Sequence, residues 1–567
     1  MKRVYRLLDG FRFPLFVFFL VSFSLGVVAT LRSYAVKTLI DAFESHQNVR
    51  YYILFYLFAL FFQESIWLTR NYLDDFIRPY LKANINNNLF NKLVHYDDFF
   101  YQNQNSSSIL NAMRNVVQGV DEVMDIVKGF LGTIGLLISS AIAFYSINYD
   151  FFKILLIWFA FSIVVQTIFS VICYKKSVLA FKYKEQYSFF IGDVFNNIAT
   201  AQIFDGIEHE KKNVNDYGNK VADAEFSREI FFSFVALFQT VSFFIVMIFF
   251  AFKSYDLFSK GLLTAGTLPM FLDLSQTIYY YLNEWAEKLG DLIEAKSSID
   301  DGLNLIEQDG FVYKKSSYLL KNDGLSFEKP EIVLDNIAYK YPNTESGYDF
   351  CMKEKIVIPY GSTVAIVGPS GGGKTTLFKL MLRVLNLNKG KILINNQDIS
   401  DINIQLLRSL ISFVPQNYGL FKRSIEENIK YGSFDLNHKD VENAAKDAKI
   451  HSFIETCEGS YGTIVDQDQS FSGGQKQRIM IARGLCRNAK IFLFDESTSA
   501  LDVKTESDVL ENINDIEGTK FIIAHRLRTI EKADLILFVD NGEIVEKGTH
   551  EQLMNKQGKY YSLVKML

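Results

Sequence analysis

Six long apolar runs fill the first half of the chain, at residues 11–31, 51–69, 129–147, 152–174, 230–252 and 257–282. A helix needs roughly 20 apolar residues to cross a bilayer, and the Phe, Leu, Ile and Val content of these runs favours lipid over a soluble core. The second run is interrupted by Gln63 and Glu64, and the sixth, more polar, carries Asp273 and Gln276. Between the runs, residues 71–93 keep apolar positions at helical spacing, including Leu73, Ile77, Leu81, Ile85 and Leu89. A helix continuing about 25 residues past the membrane reaches about 37 Å beyond it. The polar stretch 101–108 breaks this helix, and a return helix follows through Ile109 and Met113. Residues 175–229 repeat the plan, with a turn expected near Ile203-Phe204-Asp205-Gly206. After Pro330 the pattern changes to short apolar strands alternating with helices, as in an α/β domain.

Charge gives this plan an orientation. The second long loop carries Lys175, Lys176, Lys182, Lys184, Lys211, Lys212, Lys220 and Arg228, and the N-terminus carries Lys2, Arg3 and Arg6. The short link Asn148-Tyr149-Asp150 has no basic residue. The positive-inside rule therefore places the N-terminus and both long loops in the cytosol. Six spans return the chain to that side, where ATP is. The expected division is a membrane domain at 1–307, a polar linker at 308–329 and a nucleotide-binding domain at 330–567.

The chain's 567 residues exceed one ordinary domain, and 52 Phe and 30 Tyr are heavy for a soluble protein. Mean hydropathy is only +0.08, the average of an apolar half and a polar half. A net charge of -5 gives no basic signature for nucleic acid. Cys173, Cys351, Cys457 and Cys486 have no metal-like spacing.

The candidate chemistry lies in the second half. Gly368-Pro369-Ser370-Gly371-Gly372-Gly373-Lys374-Thr375-Thr376 follows the apolar run 363–367 and precedes a helical stretch. Strand, glycine-rich loop and helix in that order are the context of a phosphate-binding loop. Its backbone N–H groups and helix N-terminus face an anion. Lys374 would reach the β- and γ-phosphates, and Thr375 would offer its hydroxyl to Mg²⁺. Further on, Ile491-Phe492-Leu493-Phe494 is an apolar run ending at Asp495-Glu496. A carboxylate at a strand end can hold Mg²⁺, and a second beside it can polarise an attacking water.

Phe471-Ser472-Gly473-Gly474-Gln475 resembles the signature motif of ABC transporters, with Phe471 where Leu is usual. Other marks of that family follow in order: Tyr341 resembles the aromatic that stacks on adenine, and Gln416 in Val414-Pro415-Gln416 the Q-loop glutamine, a further Mg²⁺ candidate. Ser499-Ala500-Leu501-Asp502 resembles the D-loop, and His525 the switch histidine near the γ-phosphate. With six spans and two long loops, nearly the whole chain is similar to an exporter-type half-transporter. The resemblance implies a six-span α-helical domain followed by an α/β P-loop ATPase, with ATP and Mg²⁺ as cofactors. It implies a plasma-membrane location and a second half-transporter subunit. The ATP of one subunit would then be covered by Ser472, Gly473, Gly474 and Gln475 of the other. Glu496 and His525 are both intact, which favours a homodimer over a heterodimer. It implies export of an amphipathic lipid, drug or peptide, against an importer of the same fold (of siderophores, for example) or an ATP-gated channel. For the cargo, Asp273, Gln276 and Tyr280 share a face of the sixth run and Glu64 lies in the second. Either they contact a polar or cationic substrate, or they form interhelical hydrogen bonds.

Overall fold

The computed structural model describes residues 8–96, 100–101, 104, 106–307, 327–341, 347–416, 419–465, 471–498, 501–524 and 527–566. They divide into two compact units, one ending at residue 307 and one starting at 327.

The first unit is helical. Its helices are α1 (Arg12–Glu44), α2 (Val49–Leu93), α3 (Ser106–Ile147), α4 (Tyr149–Asn196), α5 (Ile198–Ile203), α6 (Ile207–Ser259) and α7 (Thr267–Ile306). Among the described residues, α1, α2, α3, the 149–169 part of α4 and α6 are long and apolar enough to cross a membrane. The more polar α7, with Asp273, Gln276 and Glu284 in its first half, is not among these five. The expected sixth span, 257–282, begins too early. Residues 257–259 are the last turn of α6, and a turn at 260–266 separates them from α7. Gly261 takes a φ of 69° there, which breaks the helix where apolar content alone runs on. Both long loops are helical. α2 runs unbroken to Leu93 despite Pro79, and α4 and α6 are joined through the short α5, which covers the start of the expected turn.

α1 packs against α2, α3 and α7, α3 against α7, and α4 against α6. The crossing of α1 and α3 brings backbones together. A Cβ on Gly26 would lie 2.0 Å from the Gly132 carbonyl oxygen, and one on Gly135 2.2 Å from that of Phe23. Thr30 and Ser139 hydroxyls meet there at 2.7 Å. Small residues of this kind let membrane helices approach closely. Gly26→Ala is therefore expected to overpack the crossing at a cost of about 1–3 kcal/mol. The check is the thermal midpoint of the protein in detergent, which should fall; an unchanged midpoint would refute the close packing. Below the spans, Arg78 pairs with Asp74, Asp121 and Asp125 at 2.8–3.0 Å. Lys128 adds Asp74 and Asp125, and Lys82 adds Asp121, tying α2 to α3. Deeper, Trp158 Nε1–H donates to Ser242 Oγ, Ser162 Oγ–H to Gln239 Oε1 and Gln166 Nε2–H to the Leu282 carbonyl, joining α4, α6 and α7.

The second unit is built on one sheet. Its strands are β1 (Ile332–Tyr339), β2 (Phe350–Cys351), β3 (Lys355–Ile358), β4 (Thr363–Val367), β5 (Lys389–Ile394), β6 (Gln397–Asp398), β7 (Ile411–Val414), β8 (Ile491–Asp495), β9 (Thr519–Ile523), β10 (Leu535–Asp540) and β11 (Glu543–Gly548). The order is β6-β5-β1-β2-β11-β10-β4-β9-β8-β7, with β3 also on β1. The β10-β4-β9-β8-β7 part is parallel. Both its faces are covered: Val364 and Ile366 of β4 enter one core, Ala365 and Val367 the other. A strand buried on both faces reads as a continuous apolar run, as 363–367 and 491–494 do.

Candidate nucleotide site

The parallel strands bring the phosphate-binding loop and the Asp495-Glu496 pair to one edge. β4 leads into Gly368, whose φ of 147° only glycine adopts readily and where a Cβ would sit 1.9 Å from the Val539 carbonyl oxygen. The loop closes at Gly373 (φ 95°), which caps α8 (Lys374–Met381). Pro369, Ser370 and Gly371 form an exposed lip, whereas Gly372, Lys374 and Thr376 are buried and Gly373 and Thr375 half-buried. Lys374 Nζ donates to the carbonyl oxygens of Gly368 (3.0 Å) and Pro369 (2.9 Å). It is bent back over the loop it belongs to.

Asp495 is the last residue of β8, and β9 lies between β8 and β4. The Thr375 hydroxyl, 120 positions away in sequence, donates to Asp495 Oδ2 at 2.8 Å. Glu496 then turns into the left-handed region (φ 44°), an uncommon conformation for a non-glycine residue. Its Oε2 accepts from Gln416 Nε2 at 2.5 Å, and its carbonyl from Gln477 Nε2 at 3.3 Å. Tyr341 lies over α8, its hydroxyl 3.3 Å from that of Thr376, and the Tyr339 ring meets it edge-on.

Electrostatics says what this edge lacks. Burial depresses the Lys374 ammonium below its ordinary pKa, against the opposing pull of Glu496 and Asp495. Burial likewise raises the Asp495 carboxyl, partly offset by the Thr375 hydrogen bond. Burial thus disfavours both charged forms. An anion beside Lys374 and a cation beside Asp495 would favour them, and Thr375 and Asp495 present the hard oxygen donors Mg²⁺ prefers. The residues fit an ATP phosphate chain with its metal.

Ser472 caps α9 (Gly473–Leu485). Its Oγ accepts from the Gln475 N–H at 3.2 Å, and Gln475 Oε1 accepts from the Ser472 N–H at 2.7 Å. This capping box leaves Ser472 and Gly473 exposed. Among the described residues no hydrogen bond or ion pair joins 472–475 to the phosphate-binding loop. His525, Ser499, Ala500, most of the 308–329 linker and the tip of the first hairpin lie outside the described residues.

The cargo candidates separate. Asp273 is held by Arg32 Nη2 (3.1 and 3.0 Å) and by Ser33 Oγ (2.5 Å), both on α1. Asp273 thus makes an interhelical contact. Gln276 and Tyr280 lie exposed on α7 on the same stripe, and Glu64 is exposed on α2. Arg32 escaped the sequence reading because helical spacing says nothing of a partner on another helix. Its signal was a charge at the very end of the first apolar run. Gln477 lies two residues past the signature motif, and nothing in its local sequence marks its bond to the Glu496 carbonyl.

A P-loop nucleotide-binding unit carried on the same chain as long apolar helices defines the class. Comparison with known proteins gives the family. The model of the ABC transporter transmembrane region matches residues 15–282, and the ABC transporter model matches residues 353–499. Together they take in more than half of the sequence, and the chain belongs to the ABC transporters. Among its relatives, the β-(1→2)glucan export ATP-binding/permease protein NdvA of Brucella abortus (strain 9-941) is 32% identical over 380 residues, 66% of this chain. The protein of the same name from Bartonella quintana (strain Toulouse) is 33% identical over 383 residues, again 66% of this chain. Both matches span 62% of the relative's own length. The solved structure of a bacterial Atm1-family ABC exporter with ATP bound superposes with a TM-score of 0.83 over 98% of each chain, at 24% identity. At that identity the likeness is one of fold: a helical membrane domain followed by a nucleotide-binding domain.

Proposed function

We propose that this chain is one half of an ATP-driven exporter that works by alternating access as a dimer in the bacterial plasma membrane. The observation that carries this reading is the edge at which the glycine-rich loop, the buried Lys374 and the Thr375–Asp495 hydrogen bond meet. MgATP fits this edge, its phosphates at the loop and Lys374 and its metal at Thr375 and Asp495. In this reading Thr375, Asp495 and Gln416 hold the metal, and Tyr341 stacks on adenine. The loop from Gly368 to Thr376 cradles the phosphates. Glu496 is the general base and His525 contacts the γ-phosphate. Ser472, Gly473, Gly474 and Gln475, the first two exposed and the others half-buried, cover the ATP of the second subunit, a homodimeric copy by preference. ATP shifts the population only if it binds the closed dimer better than the open one.

The cargo is an amphipathic molecule: a lipid, drug or peptide. One observation favours a more polar class. The exposed faces of α2, α4 and α6 are rich in Leu, Ile, Val and Phe, whereas the exposed residues in the first half of α7 are Gln276, Tyr280 and Glu284. Such a face belongs beside water or a polar ligand, not lipid. The relatives named for β-glucan export make a polyhydroxylated cargo the second reading.

The test is transport in inside-out vesicles with labelled lipids, peptides and glucose oligosaccharides. ATP-dependent accumulation of one class is expected. Accumulation only in vesicles of opposite orientation would make the chain an importer, and downhill flux alone would make it a channel.

A further inference from the structure

The helix α7 begins without a cap of its own: Gly266, at the N-cap, has no side chain to offer. Asp41 of α1 instead anchors the residues that lead into it. Its Oδ1 accepts the Gly266 N–H at 2.8 Å and its Oδ2 the Thr264 hydroxyl at 2.8 Å, and Lys37 Nζ balances its charge at 2.7 Å. Glu44 Oε2 accepts the Ala265 N–H at 3.2 Å. The backbones nearly touch, since a Cβ on Gly266 would lie 2.2 Å from the Lys37 carbonyl oxygen. Nine positions earlier on α1, about 13 Å along the helix, Arg32 Nη2, which donates to both Asp273 carboxylate oxygens, and the Ser33 hydroxyl tie the same two helices again.

This seam differs in kind from the α1–α3 crossing beside it. That crossing is made by glycine backbones, and parting it leaves voids between close-packed helices. The α1–α7 seam adds ion pairs and hydrogen bonds to its close backbone contact: the Arg32 and Asp273 side chains are 27% and 37% exposed, those of Lys37 and Asp41 16% and 20%. When such a polar seam parts at the end of a bundle, water takes the place of each lost partner, which it does not do for apolar helix faces. Both ties lie at the end of the bundle holding the short α1–α2 and α6–α7 turns, away from the long hairpins, which is the outer end in the orientation given by the basic loops.

We propose that Asp41 and Asp273 are positioning residues of the transport cycle. They hold the outer end of α1 to the start of α7 while the pathway is closed to the outside, and they release it each time cargo leaves. The proposal rests on the exporter reading above.

Two measurements test it. Spin labels on Phe43→Cys and Leu262→Cys, both at exposed positions, report the seam in a Glu496→Gln background. The distance distribution is expected to lengthen when MgATP is trapped. Trapped nucleotide with an unchanged distribution overturns the seam and spares the exporter reading; failure to trap nucleotide overturns the exporter reading and the seam with it. Second, the side chains of Ser33 and Asp273 touch, so a Ser33→Cys/Asp273→Cys variant is close enough for a disulfide or a short thiol cross-linker. Cross-linking is expected to abolish MgATP turnover without loss of ATP binding, and reduction to restore it, which a misfolded variant would not do. Undiminished turnover in the cross-linked protein overturns the proposal.

Discussion

Glu496→Gln is expected to lower ATP turnover about 10²- to 10⁴-fold, the range a positioned general base supplies, while ATP still binds. The shape of the side chain is kept, while its negative charge and its ability to take a proton are lost. The surroundings support a local effect. Gln416 Nε2 donates to Glu496 Oε2, and an amide oxygen at residue 496 still accepts that bond, less strongly than a carboxylate does. Gln477 holds the backbone carbonyl, which the substitution does not touch. The left-handed φ of 44° is a backbone property that Gln tolerates about as well as Glu. The binding residues Lys374, Thr375 and Asp495 are unchanged. Phosphate release and equilibrium binding of a fluorescent ATP analogue, measured on the same preparation, check the two halves of this expectation. Turnover within a few-fold of the parent would remove Glu496 from the chemistry.

Lys374→Ala acts earlier, on binding. The ammonium is buried, bonded among the described residues to carbonyl oxygens of its own loop and depressed in pKa by burial. A phosphate is a better partner than two carbonyls, because it carries a full negative charge. Hydrogen bonds to charged groups contribute about 1.5–3 kcal/mol, so affinity for ATP should fall about ten- to a hundredfold. The same substitution removes the two bonds that hold Gly368 and Pro369 in the absence of ligand, which adds to the loss. Titration calorimetry with ATP under non-hydrolysing conditions reads it directly. An affinity within twofold of the parent would rule out the phosphate contact.

The motor was more legible in the sequence than the membrane domain, for a physical reason. The phosphate-binding loop is written in consecutive residues because its geometry is local: a strand, glycines at unusual φ and a helix start. Asp495-Glu496 was found because a strand buried on both faces must be apolar to its end. Contacts made across the chain left weaker traces. The Thr375–Asp495 and Gln416–Glu496 bonds, 120 and 80 positions apart, follow from strand order, which no local pattern states. In the membrane half, the six runs located the helices, but the sixth was begun too early. Leu257, Phe258, Leu262 and Leu263 remain apolar through the turn, and only Gly261 and Gly266 punctuate it. Asp273 drew notice as a charge in a span, yet its partner Arg32 lies 241 positions away.

The charged knot under the membrane has a mechanical meaning. Arg78, Lys82 and Lys128 balance Asp74, Asp121 and Asp125, so the knot carries no net charge. Arg78 alone engages three carboxylates, and the entropy lost in ordering its side chain is shared among them. Bending α2 away from α3 at this level would strain several of these pairs at once. The first hairpin is thus a braced beam at the level of this knot, where α2 and α3 move together instead of flexing apart.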